Sequence, residues 1–439
     1  MIKRLYLIAL LTVGFSELRS QSLDSINLSD AIAMALKNNF DVQVADLKTL
    51  QSANLTTLGQ AGYFPSLNAT GNASFSQNKT RLEFAGGLPD VERDGAVNTS
   101  FGGNLGLSYV AFNGFGRKYS YQNLKKQWGL SEVQSEILGE NTAFEVINKY
   151  ANIQQFRLDI AALEVNLIIS AERLKYTKLA FQSGTKSSLD LMNAEMDYRN
   201  DSLSLFQKNT SLNKEILGLK LLMGQSPDYM AAISNELPVP IVGGLNEVME
   251  KALKSNVTMK LVELTLDISQ NNVGISKSRM LPQLTLNAGY GAQQSQNGAG
   301  IILAQSTLGI NSSAALAVPI FNGGQLSNAL KNAQLQVVIS EKEREQARLE
   351  IQHWVTNAFL DQSNLEMNIA TLMGSLDLAN LAVKRAQNSY KEGLIGYNDL
   401  RQVQLNALQV QNALNVAQLN LLKLRYSILR LGGELLMGK

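Results

Sequence analysis

The sequence contains no cysteine and a single histidine, His353, among its 439 residues. Without cysteine there is no thiol nucleophile, no thiolate metal site and no disulfide, and no lipid-bearing N-terminal cysteine is expected. One imidazole builds neither a histidine-based triad nor a multi-histidine metal centre within a chain. Charge is scarce as well: Asp, Glu, Lys and Arg make up 17% of the chain and the net charge is +2, so no broad field marks a nucleic-acid binder. Phosphate-binding glycine loops, supported acid/base carboxylate pairs and nucleophile motifs are not evident. Neither catalysis nor a cofactor nor a metal is therefore expected. Long apolar runs are missing too. The longest, residues 5–15 behind Lys3 and Arg4, is well short of the ~20 residues a spanning helix needs. It reads as a secretory signal over residues 1–20, with Ser16 or Ser20 before the cut.

What the sequence does hold is a duplication. Leu28, Ala35, Leu36, Lys37 and Asn39 recur as Leu245, Ala252, Leu253, Lys254 and Asn256 at one constant offset, which also carries Pro65 and Leu67 onto Pro282 and Leu284. Further on, Phe112-Asn113-Gly114 recurs as Phe321-Asn322-Gly323 at an offset shorter by eight residues, and Gly184, Asp190 and Leu191 recur as Gly393, Asp399 and Leu400. The missing residues place a longer loop in the first copy. Pro227, Pro238, Pro240, Gly243 and Gly244 mark a non-helical linker. The expected organisation is a first repeat over 21–225, a linker over 226–244 and a second repeat over 245–439.

Each repeat mixes two periodicities. In residues 284–293, Leu284, Leu286, Ala288 and Tyr290 alternate with Thr285, Asn287, Gly289 and Gly291. Phe101, Leu105, Leu107 and Tyr109 alternate likewise with Gly102, Asn104, Gly106 and Ser108. Period-two alternation with one apolar face predicts half-buried strands. The predicted β-hairpins cover about 67–112 and about 284–320, each strand roughly ten residues, the length of a tilted bilayer-crossing strand. The polar faces carry Gly, Ser, Asn and Thr, as befits a narrow lumen. Residues 78–99, with seven charges, are expected to form an external loop, and 294–307 a shorter uncharged one.

The rest reads as very long helix. Residues 116–181 and 325–390 contain no proline, and ~65 helical residues span roughly 100 Å. Leu400, Val403, Ala407, Val410, Leu414, Ala417, Leu421, Leu424, Ile428 and Leu431 step by three and four, a left-handed coiled-coil signature. A second seam runs from Leu405 to Leu429, and two seams let a helix pack on a neighbour at each side. The first repeat carries Leu191, Tyr198, Leu205, Leu212 and Leu219 beside Leu189, Met196, Leu203 and Leu217.

Four strands cannot close a barrel in lipid, where every backbone polar group needs a partner and the smallest bacterial barrels have about eight strands. Several chains must share one. Pro65 and Pro282 are expected to stop a helix before a strand, and Gly114 and Gly323 to mark the return from strand to helix. Tyr63, Phe64, Phe112, Phe115 and Phe321 fit an aromatic belt at the lipid boundary or the filling of a bend equally well.

The duplicated helix–Pro–strand–turn–strand–Phe-Asn-Gly–helix plan, with the turns Phe181-Gln182-Ser183-Gly184 and Tyr390-Lys391-Glu392-Gly393 followed by Asp190-Leu191 and Asp399-Leu400, resembles the TolC family of outer-membrane efflux proteins over nearly the whole chain. The resemblance implies a mainly α fold with membrane β. Three copies would form a twelve-strand outer-membrane β-barrel on an α-helical barrel that extends into the periplasm of a Gram-negative bacterium. It implies a passive channel of a tripartite efflux or type I secretion system, docked to a periplasmic adaptor (membrane fusion protein) and an inner-membrane RND, ABC or similar transporter. By the same resemblance, Gly184 and Gly393 turn the helical tips, and Asp190, Tyr390 and Asp399 sit at a periplasmic gate, with Asp190 accepting the Tyr390 phenol. Two positions depart from the pattern: Ile395 replaces an expected arginine, and Gln402 an expected aspartate. Asp190 and Asp399 also fit a simpler role, capping the start of a helix. The competing readings are a periplasmic adaptor, which has one helical hairpin and no lipid-facing strands, and an outer-membrane stalk or adhesion protein without a conducting lumen.

Overall fold

Each of two asparagines stops a short helix and ties it to the end of a long one. The computed structural model of the protein describes residues 25–86, 89–230 and 232–436, and the expected signal segment lies outside them. Helix α1 (Leu28–Asn38) starts where the Asn27 side chain accepts the Asp30 amide at 2.8 Å. It ends at Asn39, whose extended backbone turns the chain into α2 (Phe40–Asn54). Two strands follow, β1 (Ser66–Leu82) and β2 (Val91–Asn113), then the long α3 (Gly116–Gln182) and α4 (Ser188–Leu222). The same order then repeats as α5 (Leu245–Ser255), α6 (Val257–Ser278), β3 (Gln283–Asn297), β4 (Ala304–Ala317), α7 (Gln325–Lys391) and α8 (Tyr397–Leu431). Helices α1 and α5 are each 11 residues, α3 and α7 each 67, α4 and α8 each 35. The two asparagines act alike: Asn39 donates to the Leu222 carbonyl at the end of α4 (3.1 Å), Asn256 to the Leu431 carbonyl at the end of α8 (3.0 Å).

The chain divides into two compact units that do not follow the order of the two repeats. Among the described residues the first comprises 25–39, 145–240 and 369–419, the second 40–144, 241–368 and 420–436. In the first, Tyr150 is fully buried and its hydroxyl meets the Ser234 carbonyl at 2.9 Å and the Ile26 carbonyl at 3.2 Å. A parallel bridge between Ile26 and Ile233 draws the inter-repeat linker onto the N-terminal segment. The second unit is centred on Val248, Ala252, Met259, Ile351, Val355 and Ile428, all buried. Glu140 is buried on α3 of this unit with Arg430 Nε at 3.8 Å. Burial pushes its carboxyl up to about 7, against the pull of Arg430.

The second unit also holds one four-stranded antiparallel sheet in the order β1-β2-β3-β4. Its register runs Thr70↔Asn104, Asn104↔Gly291 and Gly291↔Gly309. The expected loops are corrected here. The charged stretch 78–99 is mostly strand, since β1 runs to Leu82 and β2 starts at Val91, and 294–307 likewise continues β3 and β4. Cross-strand ion pairs join the two strands near the end of the longer hairpin, beyond a register shift between Asn78 and Thr80: Lys79 meets Glu92 at 2.8 Å and Asp94 at 3.2 Å, and Arg81 meets Asp90 at 3.1 Å. The extra length of the first copy therefore lies in strands of 17 and 23 residues, against 15 and 14 in the second.

The prolines need a second correction. Pro282 closely follows α6, which ends at Ser278, whereas α2 ends at Asn54 and the chain turns through residues 55–62 before Pro65. Gly62, with φ of +79°, takes the left-handed turn there. At the return to helix, Gly114 has φ of +63°, and a Cβ would stand 2.5 Å from the Ser278 carbonyl oxygen. No other residue fits that approach. No helix among the described residues is long and apolar enough to cross a membrane.

Candidate functional site

The sheet sorts most of its side chains by polarity over its central rows. One face carries Leu67, Ala69, Phe75, Phe101, Leu105, Leu107, Leu286, Tyr290, Leu308 and Ile310, and the large apolar members are exposed: Phe75 is 68%, Phe101 61% and Ile310 82% accessible. A water-facing sheet would not show so much apolar surface, whereas a lipid-facing one requires it. The opposite face carries Asn68, Thr70, Asn104, Ser108, Asn287 and Asn311 around a concavity of about 320 Å³. Glycines on this face leave room for the asparagines of neighbouring strands: a Cβ on Gly289 would lie 2.3 Å from Asn311 Oδ1. The outer edges of β1 and β4 have no strand partner among the described residues.

Aromatic residues collect where sheet gives way to helix. Phe112 and Phe115 meet edge to face at 5.4 Å, and the Arg117 guanidinium lies 5.2 Å over Tyr63 and 5.6 Å over Tyr109. Phe64, Phe115 and Phe321 are exposed at 64%, 64% and 88%, while Tyr63 packs against Tyr121.

At the helical tips, α3 ends in a turn where Gly184 has φ of +78° and the Thr185 amide bonds back to the Ala180 carbonyl (2.9 Å). Gly393 (φ +75°) and Leu394 N to Ser389 O (2.8 Å) repeat this after α7. These are the left-handed helix stops that glycine permits.

The structure does not join Asp190 to Tyr390 within the chain. Asp190 closes a capping box instead, accepting from the Ser187 amide (3.0 Å) and hydroxyl (2.8 Å) while its own amide donates to Ser187 Oγ (3.1 Å). These bonds, the side-chain one foremost, hold its carboxyl below the usual range. Asp399 takes the matching position on α8 and accepts from the Gly396 amide at 3.0 Å. Tyr390 is buried, and its hydroxyl has no hydrogen-bond partner. The physical reason is local competition: a carboxylate three residues into a helix finds free amides at hand before any distant phenol.

A different set of residues ties the two tip hairpins together inside the first unit. The Tyr397 phenol donates to the Asp197 carboxylate and lies 3.1 Å from the Asn193 carbonyl. Arg173, only 4% exposed, donates to the same carboxylate (3.0 Å) and to Gln404 Oε1 (3.0 Å), and stacks 4.9 Å over the Tyr397 ring. Arg401 grips Asp201 with two nitrogens (2.8 and 3.1 Å) and reaches Asp197 at 3.4 Å. Burial and the Asp197 bond push the Tyr397 phenol up. Burial lowers the Arg401 guanidinium, but Asp201 and Asp197 outweigh it and the net direction is up. This is a half-buried charge network across α3, α4 and α8. Its sequence signal was the i,i+4 pairing of Asp197 with Asp201 on one helix and Tyr397 with Arg401 on another.

Among known proteins, the profile described as outer membrane efflux protein matches twice, over residues 31–225 and 248–434. Nodulation protein T of Rhizobium leguminosarum bv. trifolii is 20% identical over 412 residues, covering 90% of this chain and 81% of that protein. Outer membrane protein TolC of Escherichia coli (strain K12) is 22% identical over 362 residues, 74% of this chain and 71% of its own. Among solved structures, the outer membrane protein VceC of Vibrio cholerae superposes with a TM-score of 0.74 at 18% identity, covering 92% of this chain and 96% of that one. At such identity the superposition speaks for the fold.

Proposed function

Since the chain belongs to the outer membrane efflux protein family, we propose that three copies close their sheets edge to edge into one barrel that passively conducts solutes out through the outer membrane. The observation that carries this is the sheet itself. Its apolar face suits lipid, its uncharged polar face suits a water-filled lumen, and two unpaired edges cannot remain open in hydrocarbon. A second observation supports an assembly. On α4, the seam Leu189, Met196, Leu203 and Leu217 is exposed at 64%, 57%, 54% and 45% within the single chain, ready for a neighbouring helix.

Within this reading the chain is two repeats, 21–225 and 245–439, joined by the linker 226–244. The tips turned by Gly184 and Gly393 are where a periplasmic adaptor docks and couples the duct to an inner-membrane transporter. The Asp197–Tyr397–Arg401–Arg173 network is the latch that keeps the second-copy hairpin against the first. Asp190 and Asp399 act as helix caps beside it, in place of the direct Asp190–Tyr390 link. Removing one partner of a buried ion pair costs about 3–5 kcal/mol, so the latch is strong enough to hold and open to competition by a docking protein.

The test is planar-bilayer conductance of the detergent-purified protein. Discrete channels whose conductance rises in Tyr397→Phe support the duct and its latch. Absence of channels from intact oligomers points to a stalk or adaptor, and channels indifferent to Tyr397→Phe leave the duct without this latch.

A further inference from the structure

Arg173 satisfies only part of its hydrogen-bonding capacity in the latch. Its Nε–H has no acceptor, although the residue as a whole is only 5% exposed. Gln404, also 5% exposed, has its amide orientation fixed, because its Oε1 accepts from Arg173 Nη1 and a guanidinium only donates. Gln404 Nε2 is then a true donor, and it too lacks a partner. The Tyr390 hydroxyl, at 6% exposure, is the third unpartnered polar group. All three residues line one cavity of about 290 Å³ between α3, α7 and α8 in the first unit.

Two buried donors and a hydroxyl that can donate or accept, all on residues lining one small cavity, are a chemical demand. Buried donors left without acceptors are costly and normally mark a missing ligand or water. A water molecule accepts two hydrogens but must place two of its own, and of this trio only the Tyr390 hydroxyl can take one. A carboxylate brings about four acceptor sites and no donor. The charges agree. Within the latch Arg173 and Arg401 are matched by Asp197 and Asp201, Lys391 and Glu172 both line the cavity, and Lys186 lies 5.0 Å over the Tyr390 ring as an additional cation. One negative charge suits that balance. The remaining wall is formed by Gln387 and by the apolar or aromatic Ile169, Leu400 and Tyr176, with the Tyr176 and Tyr390 rings edge to face at 6.3 Å.

We propose that this cavity binds a small amphipathic monocarboxylate, its carboxylate held by Arg173, Gln404 and Tyr390 and its hydrocarbon body by Ile169, Leu400 and Tyr176. Because Arg173 and Gln404 also belong to the latch, an occupant there adds acceptors to the residues that hold the tip hairpins together. The site is formed within one chain and does not depend on the duct reading, which conductance of the same preparation tests separately.

The experiment is a fluorine NMR titration of the full-length detergent-solubilised assembly with para-fluorobenzoate, and with para-fluorobenzamide as the neutral isostere. The expected result is saturable binding of the benzoate, at least about ten-fold weaker binding of the benzamide, and a similar loss in Tyr390→Phe, which removes one hydroxyl without altering the fold. Gln404→Glu should abolish benzoate binding, because its own carboxylate then occupies the donors and repels the probe. Equal binding of the two probes, benzoate binding unchanged in Tyr390→Phe, or no saturable binding to a folded assembly would each overturn the assignment. The last result means that the donors are met by water or by a neighbouring copy.

Discussion

The sheet and the helical tips handle polarity in opposite ways. Over the central rows of the sheet no charge appears on either face. The polar side is built from Asn, Ser, Thr and Gly, and ion pairs begin only near the end of the first hairpin, at Lys79 with Glu92. In the tips, charges are taken out of water and paired: Arg173 is 4% exposed, Asp201 9% and Arg401 14%. Neutral amides over glycine make a wall that interacts weakly with any particular solute. Buried ion pairs make a joint whose loss is costly and whose partners can be exchanged. One region is suited to passage, the other to control.

Asp197 is where that contrast breaks most sharply. Asp197→Leu leaves Arg173 buried without its counter-charge, a loss of about 3–5 kcal/mol, to be read as an earlier thermal melt of the helical signal together with raised conductance. Next comes the sheet. Leu105→Arg places a cation on the apolar face at about 2–4 kcal/mol per copy near the middle of a bilayer, and should sharply reduce the yield of heat-modifiable oligomer in outer-membrane extracts. Asn104→Arg, one residue away on the opposite face, should assemble normally. Equal yields from the two variants would remove the distinction between faces.

Much of this contrast was legible in the sequence, and the reasons are physical. Strand alternation is a strictly local pattern, so Leu284 to Tyr290 and Phe101 to Tyr109 declared their faces directly, and the repeated helix–strand order followed from Pro282 and the Phe-Asn-Gly pairs, whereas α2 ends well before Pro65. The latch was not legible, because it depends on which residues of α3, α4 and α8 meet. Asp197 and Asp201 lie among the apolar seam positions Met196, Tyr198 and Leu203, and their spacing alone does not say which helix they meet. Asp190 was expected at a gate or as a helix cap, and within one chain the amide and hydroxyl of Ser187 hold it as a cap. The length difference between the repeats was visible, but the cross-strand pairing of 78–82 with 91–96, invisible in sequence order, makes strand of an expected loop.

A smaller effect is expected from Glu140, which lies in the second unit and outside the sheet. Its carboxyl is raised from 4.5 to about 7 in the folded chain. The folded state therefore holds the proton more tightly than the unfolded one. The stabilisation is complete below pH 4.5 and is lost as pH rises through about 7. Melting temperature should fall across that window in the native protein, and Glu140→Gln should flatten the dependence. The smallest effect belongs to Asp190→Ala, which loosens the start of α4 by about 1 kcal/mol and should leave conductance unchanged. A marked rise there would return Asp190 to the gate.

Closure of the barrel across copies can be tested directly because the chain has no cysteine. Thr70→Cys on the free-edge strand β1 is combined in turn with Thr307→Cys, Gly309→Cys, Asn311→Cys and Ser313→Cys on the other edge strand β4, all on the polar face, and each pair is oxidised in native membranes. Paired antiparallel strands bring opposing positions within disulfide reach in at least one register. The account predicts that one pair yields a covalent ladder ending at three chains. Only single chains from every pair, or a ladder running on without limit, would contradict it.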